Sequence, residues 1–134
     1  MHKLISFATI CYSLLIVIAS LASIATTVLP SNIPESDKLA HLIAYFRFTI
    51  IWTIFFYTRN KTKMGLNHFY KAIIKASALG VSFGLLMEVA QLVFTDYRQF
   101  DFKDALANSL GVFIAVLIMY YGASFFMLIK KRMF

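Results

Sequence analysis

The stretch Leu4–Leu29, LISFATICYSLLIVIASLASIATTVL, contains no charged residue. A helix that crosses a hydrocarbon core about 30 Å thick needs roughly 20 mostly apolar residues. The stretch is too long for the apolar core of a cleaved signal peptide, and few basic residues precede it. We therefore expect an uncleaved helix that spans a membrane.

Three further apolar segments follow along the chain. They cover about residues 39–57, 72–95 and 105–129, and only short polar connections separate them. The composition agrees with a membrane protein, because 60% of the 134 residues are hydrophobic and only 14% are charged. The sequence predicts an all-α bundle of four transmembrane helices, forming a single domain over residues 1–134.

The positions of lysine and arginine predict the orientation of the helices. Basic residues cluster between the second and third segments and after the fourth, at Arg59, Lys61, Lys63, Lys71, Lys130, Lys131 and Arg132. Such residues accumulate on the cytoplasmic side, so both termini and the middle loop are predicted to be cytoplasmic in a multi-pass membrane protein. The net charge of +7 is spread over helix ends rather than forming one patch, which argues against nucleic-acid binding.

All the acidic residues are predicted to lie on the opposite, outer side or near it. Most stand in or beside the two outer connections, at Glu35, Asp37, Asp96, Asp101 and Asp104. Glu88 is different, because it lies about two turns deep in an apolar helix. An ionisable side chain there costs about 2.5 kcal/mol or more unless it has a partner or water. Glu88 is therefore a candidate functional residue.

Polar residues also recur at helical spacing on three of the predicted helices. Asp37 and His41 are four residues apart, and Gln91 follows Glu88 by three. Because these stripes share one depth and side, they predict an outward polar pocket formed by Asp37, His41, Glu88, Gln91, Arg98, Asp101, Asp104 and Asn108. Small residues allow helices to approach closely, and this packing role is predicted for Gly80, Gly84 and Gly111.

Each stripe also has a structural interpretation. Asp37, Asp101 and Asp104 stand where they could cap helices, and Asn108 could join two helices by a hydrogen bond. A divalent metal held by Asp37, His41, Glu88 and Asp104 is chemically feasible. The single cysteine and the lack of a known ligand spacing argue against it, so no metal and no other cofactor is predicted.

Two blocks of sequence resemble the VanZ-like family of small bacterial membrane proteins. They are residues 37–46, DKLAHLIAYF, and residues 84–111, GLLMEVAQLVFTDYRQFDFKDALANSLG. The positions that match the family's polar pattern are Asp37, Lys38, His41, Tyr45, Glu88, Gln91, Arg98, Asp101, Asp104, Asn108 and Gly111. Arg47 departs from that pattern. The resemblance implies a four-helix membrane protein associated with resistance to glycopeptides of the teicoplanin type, and it implies no established reaction.

Three hypotheses for function follow. The first is a non-enzymatic module whose pocket binds an envelope component or excludes an amphiphilic antibiotic. The second is a membrane enzyme acting on a lipid-linked envelope substrate, with Glu88 or Asp104 as general base. The third is a small proton-coupled exporter that uses Glu88. The expected partners are membrane lipids, a lipid-linked envelope precursor or a glycopeptide, and the small-residue stripes would permit a homo-oligomer. Because no HExxH, GxSxG or P-loop motif occurs, the sequence predicts no reaction class.

Overall fold

The computed structural model describes residues 2–22, 36–59, 65–96, 101–125 and 128. These residues form four long helices, α1 (His2–Leu21), α2 (Ser36–Thr58), α3 (Leu66–Phe94) and α4 (Phe102–Tyr121), and the described ranges contain no strand. All four helices are long and apolar enough to cross a membrane. The predicted all-α fold with four candidate spans is confirmed, and the placement of both termini in the cytoplasm stays a prediction.

The helices differ from the predicted spans at their ends. Helix α3 begins at Leu66 rather than near residue 72, and its 29 residues make it roughly 44 Å long. It exceeds the hydrocarbon core, so its first turns can lie in the polar region with Lys71 exposed. Helix α4 is interrupted after Tyr121 at Gly122, a weak helix former, and helical residues follow at 123–125 and 128. Residue 129, near which the fourth span was predicted to end, lies outside the described residues. The predicted end of the first span lies outside the described residues.

Helices α2, α3 and α4 pack against one another, and α2 and α4 share the most extensive contact. Gly111 explains how closely these two helices approach, because an added Cβ there would overlap the backbone carbonyl oxygen of Leu42. An added Cβ at Gly84 would lie 3.2 Å from Tyr45 Cε1 and 3.2 Å from the Cβ of Asn108. Gly80 faces Val112 and Thr49 in the same way. The three glycines predicted to pack helices therefore all lie at helix contacts.

Helix α1 lies against α2 and α3. The Tyr12 hydroxyl donates a hydrogen bond to the Ala44 carbonyl oxygen at 3.1 Å. The indole N–H of Trp52 donates to Ser13 Oγ at 3.3 Å. In an apolar solvent such bonds between helices contribute to association, so they help to hold α1 against α2.

The distribution of polar and apolar side chains is the reverse of that in a water-soluble protein. Glu88 and Gln91 are each only 1% exposed, whereas Leu86 is 64% exposed and Val93 is 66% exposed on the same helix. Lipid solvates the exposed apolar side chains, while buried polar groups find partners inside the bundle. The fold is therefore organised for a membrane.

Candidate functional site

Helix α2 presents a row of polar side chains to the interior of the bundle, at steps of four residues. Asp37 begins the row in the first turn of the helix, where its side chain is 29% exposed. His41, Tyr45 and Thr49 follow, and all three are buried. Because side chains four apart share one helix face, the row descends from the end of α2 toward its middle.

Helix α4 contributes two buried polar side chains and one that caps the helix. Asp101 precedes the helix, and its carboxylate accepts a hydrogen bond from the Lys103 backbone N–H at 2.8 Å. This bond satisfies a backbone group that the helix leaves unpaired, which is the usual role of an N-cap aspartate. Asp104 and Asn108 point inward from the first two turns, and both are buried.

A chain of hydrogen bonds joins the three central helices through Asn108. The Asn108 Nδ2 amide donates to Glu88 Oε1 at 3.4 Å, and Asn108 Oδ1 lies 3.0 Å from His41 Nδ1. The Asn108 amide thus turns its NH2 group, which can only donate, toward Glu88. The amide oxygen then faces His41, which must donate from Nδ1. Nε2 is thereby left as the acceptor atom of a neutral His41 ring.

The Nε2 atom of His41 faces two carboxylates. It lies 3.7 Å from Asp104 Oδ2 and 3.9 Å from Asp37 Oδ1. Within the described ranges, neither His41 Nε2 nor Asp104 Oδ1 has a hydrogen-bond partner, although both atoms are buried. We call the five residues that meet here the polar cluster: Asp37, His41, Glu88, Asp104 and Asn108.

The other predicted pocket residues lie elsewhere. Gln91 is buried, but its side-chain amide donates to the Ser20 carbonyl oxygen of α1 at 3.0 Å, so it joins α3 to α1. Asp101 caps α4, as described above. Arg98 lies outside the described residues. Arg47, whose role the sequence left open, is exposed on α2 and does not contribute to the polar cluster.

Tyr45 was not among the predicted pocket residues. It is 1% exposed, and its hydroxyl has no hydrogen-bond partner in the described part of the chain. Its position four residues after His41 was the feature of the sequence that could have predicted its place on the same helix face. Below it, Phe48 stacks on Phe83 with ring centroids 5.0 Å apart, and Tyr45 contacts both rings. These aromatic rings form an apolar floor under the polar cluster.

A family model described as VanZ/LLP1 matches residues 3–128, which is nearly the whole chain. The chain belongs to the VanZ/LLP1 family. No curated protein and no solved structure matches it. In this VanZ/LLP1 member, the two blocks that carried the sequence resemblance supply every residue of the polar cluster. The family match thus confirms the resemblance, and the chemistry has to be inferred from the cluster itself.

The polar cluster of this VanZ/LLP1 member combines an oriented imidazole with three carboxylates. Imidazole is the side chain best suited to exchange protons near neutral pH, and a hydrogen bond to one ring nitrogen determines which role the other can take. Carboxylate and imidazole are also ligands for divalent cations. The arrangement is therefore chemically suited to bind a polar or cationic group, or to move a proton.

Proposed function

We propose that this protein is a multi-pass protein of the bacterial cytoplasmic membrane that protects the cell against glycopeptides of the teicoplanin type. In this proposal the polar cluster binds the polar head of an envelope component at the outer surface. The burial of Glu88 carries the proposal, because its side chain is 1% exposed inside an apolar bundle. Ionisable side chains are rare inside apolar bundles and are kept there with a partner mainly where they serve a function, and Glu88 has Asn108 as its partner.

The position of the cluster along the helices supports access from one membrane surface. Asp37 and Asp104 lie in the first turns of α2 and α4, and Glu88 lies in the last two turns of α3. The basic residues predict that the opposite helix ends are cytoplasmic, which supports an outward-facing cluster in our proposal. A ligand from the outer surface would meet the partly exposed Asp37 before the buried His41.

The test replaces Glu88 with glutamine. Glu88→Gln keeps the size and the hydrogen-bonding capacity of the side chain but removes its charge, so membrane insertion should be unharmed. We expect tolerance to teicoplanin to be lost while the abundance of the protein in the membrane stays nearly unchanged. Asp101→Asn is the matched control, because asparagine caps helices as well as aspartate does and Asp101 lies outside the cluster.

A packing variant separates a chemical role from a structural one. Gly84→Leu introduces a large side chain where even a Cβ would lie 3.2 Å from Tyr45 and Asn108. We expect abundance and antibiotic tolerance to fall together in this variant. If Glu88→Gln tolerates teicoplanin like the wild type while Gly84→Leu fails, the polar cluster is architectural and the proposal is wrong.

A second candidate function is an enzyme acting on a lipid-linked envelope substrate. The observation that favours it is the orientation of His41, whose Nδ1 is held 3.0 Å from Asn108 while Nε2 faces the carboxylates. An imidazole oriented in this way is a suitable general base. Purified protein in liposomes would be incubated with a lipid-linked envelope precursor, and head-group release would be measured. Release that disappears in His41→Gln but not in His68→Gln supports the enzyme, whereas binding without release supports the binding module.

A further inference from the structure

We propose that Asp37, His41 and Asp104 bind one divalent transition-metal ion. One atom from each side chain can serve as a ligand, and the three atoms lie within 4.8 Å of one another. Both His41 and Asp104 are more than nine-tenths buried, with 6% and 3% of their surfaces exposed. The proposal therefore concerns a built, mostly enclosed site rather than a surface group of acids.

The first argument is the protonation of the histidine ring. Asn108 accepts from His41 Nδ1 and donates to Glu88, so a neutral His41 carries its lone pair on Nε2. That lone pair faces Asp104 at 3.7 Å and Asp37 at 3.9 Å, both of which are acceptors when ionised. Two carboxylates and a ring nitrogen converge here, and a cation among them would be attracted by both acids.

Asn108 and Glu88 then act as outer partners of the metal ligand. Histidines that bind metals almost always donate their second ring N–H to a carboxylate, a carbonyl oxygen or water, which orients the ring and fixes the tautomer. His41 has this arrangement, with the Asn108 amide oxygen 3.0 Å from Nδ1. Glu88 in turn orients the amide through the bond from Asn108 Nδ2. Asn108 and Glu88 are therefore positioning residues in this proposal.

The spacing from the histidine to each carboxylate is close to that between two ligands of one ion. Ligands about 2.1 Å from a tetrahedral ion lie roughly 3.4 Å apart. The distances from His41 Nε2 to the two carboxylates, 3.7 and 3.9 Å, exceed this value by only a few tenths of an ångström. Small rotations of the Asp37 and Asp104 side chains would close the difference. The 29% exposure of Asp37 leaves a direction from which an ion and a further ligand can approach.

The ligand set indicates which ions the site would take. One imidazole and two carboxylates, without a thiolate, suit Mn²⁺ and Zn²⁺ rather than Cu(I). Calcium prefers ligands that are all oxygen, and the imidazole nitrogen of His41 does not suit such a set. Two ionised carboxylates would also balance the double positive charge of the ion.

The inference deepens the proposed function, because it concerns the same cluster and rests on that function only for its biological role. Metal binding is measured on the purified chain without antibiotic, so the two can fail separately. If Glu88→Gln loses antibiotic tolerance but the wild type binds no metal, the metal site alone is overturned. If the wild type binds metal but Glu88→Gln keeps its tolerance, the proposed function alone is overturned.

The experiment uses the full-length chain in detergent after treatment with EDTA. Mn²⁺ is titrated and free Mn²⁺ is followed by electron paramagnetic resonance, with Zn²⁺ added as a competitor. We expect one ion per chain. Asn108→Leu should weaken binding by about 10- to 100-fold, because it removes the outer partner and leaves all the ligands in place. His41→Gln and Asp104→Asn should weaken it further than Asn108→Leu does.

Two controls separate ligand loss from misfolding. His68→Gln removes a histidine from the first turn of α3, at the far end of that helix from Glu88, and should bind like the wild type. Thermal unfolding is measured with and without the ion, since a ligand that binds only the folded state raises Tm. We expect a metal-dependent rise for the wild type and for His68→Gln. The proposal is overturned if the wild type binds neither ion, or if His41→Gln retains wild-type affinity or the same rise in Tm.

Discussion

Gly111→Ala tests whether α2 and α4 approach as closely as the structure shows. An added Cβ at this position would overlap the backbone carbonyl oxygen of Leu42 and would lie 3.0 Å from the backbone nitrogen of Phe46. Both atoms belong to the backbone of α2, so neither can swing aside as the end of a side chain could. The two helices must therefore move apart, by an amount on the order of 1 Å for an overlap of this kind.

The expected loss of unfolding free energy has two parts, a steric contribution and a lost hydrogen bond. Overpacking a well-packed contact costs about 1 to 3 kcal/mol. The bond between His41 and Asn108 lies close to this contact, because His41 directly precedes Leu42 and Asn108 lies three residues before Gly111; at 3.0 Å it would not survive such a separation. A hydrogen bond between membrane helices contributes about 0.6 kcal/mol on average. We therefore expect a loss of about 2 to 4 kcal/mol, which corresponds to a fall in Tm of roughly 5 to 15 °C.

The assay is thermal unfolding of the purified protein in detergent, followed by the fluorescence of Trp52, the single tryptophan. Gly65→Ala is the matched control, because nothing lies within 4 Å of an added Cβ there and its φ of −159° is extended backbone that alanine adopts readily. Because Gly65 is the N-cap of α3 and alanine caps less well, its Tm should fall only slightly below that of the wild type. A Tm for Gly111→Ala within about 1 °C of the control would refute the close contact between α2 and α4.

Three further measurements test other parts of the molecule. The topology is tested in a background in which Cys11 is replaced by serine. In intact cells, Ser31→Cys should react with an impermeant thiol reagent and Asn60→Cys should not. The reverse pattern would mean that the predicted topology is inverted. Gln91→Leu should lower the unfolding free energy by about 1 kcal/mol, because it removes the 3.0 Å bond from α3 to α1, and an unchanged Tm would contradict that contact. Ser13→Ala should shift Trp52 emission to shorter wavelength, since the indole N–H loses its acceptor, whereas unchanged emission would argue against this bond.

The helix count was predictable because a membrane span has a local signature. Each span needs an apolar run long enough to cross the hydrocarbon core, and four such runs are visible without knowledge of their neighbours. The helix ends were less predictable. Helix α3 continues past the hydrophobic run to Leu66, since a helix does not have to stop where the hydrocarbon does. Gly122 interrupts α4 after Tyr121, and helical residues follow at 123–125, so a local break at a glycine need not end a span.

Gln91 and Asp101 show where sequence reasoning about the candidate site reached its limit. Gln91 follows Glu88 by three residues, so the spacing placed both on one face of α3. The face is wide enough to meet two neighbours, and Gln91 meets α1 while Glu88 meets α4. For Asp101 the sequence left a pocket position and a helix cap both open, and the structure shows the cap, since the helix begins at the next residue.

The sequence by itself determined that the protein is surrounded by lipid and that it has four long helices. It also determined how far from the helix ends the residues of the polar cluster lie. Hydropathy and helical period are local properties, so these features need no long-range contact. Only the tertiary structure decided that α4 lies between α2 and Glu88 at this level, with Asn108 bonded to both sides. That contact depends on backbone approach at Gly111, and it determines which nitrogen of His41 is turned toward the acids. A tautomer set by residues far apart in the chain has no signature in any single segment.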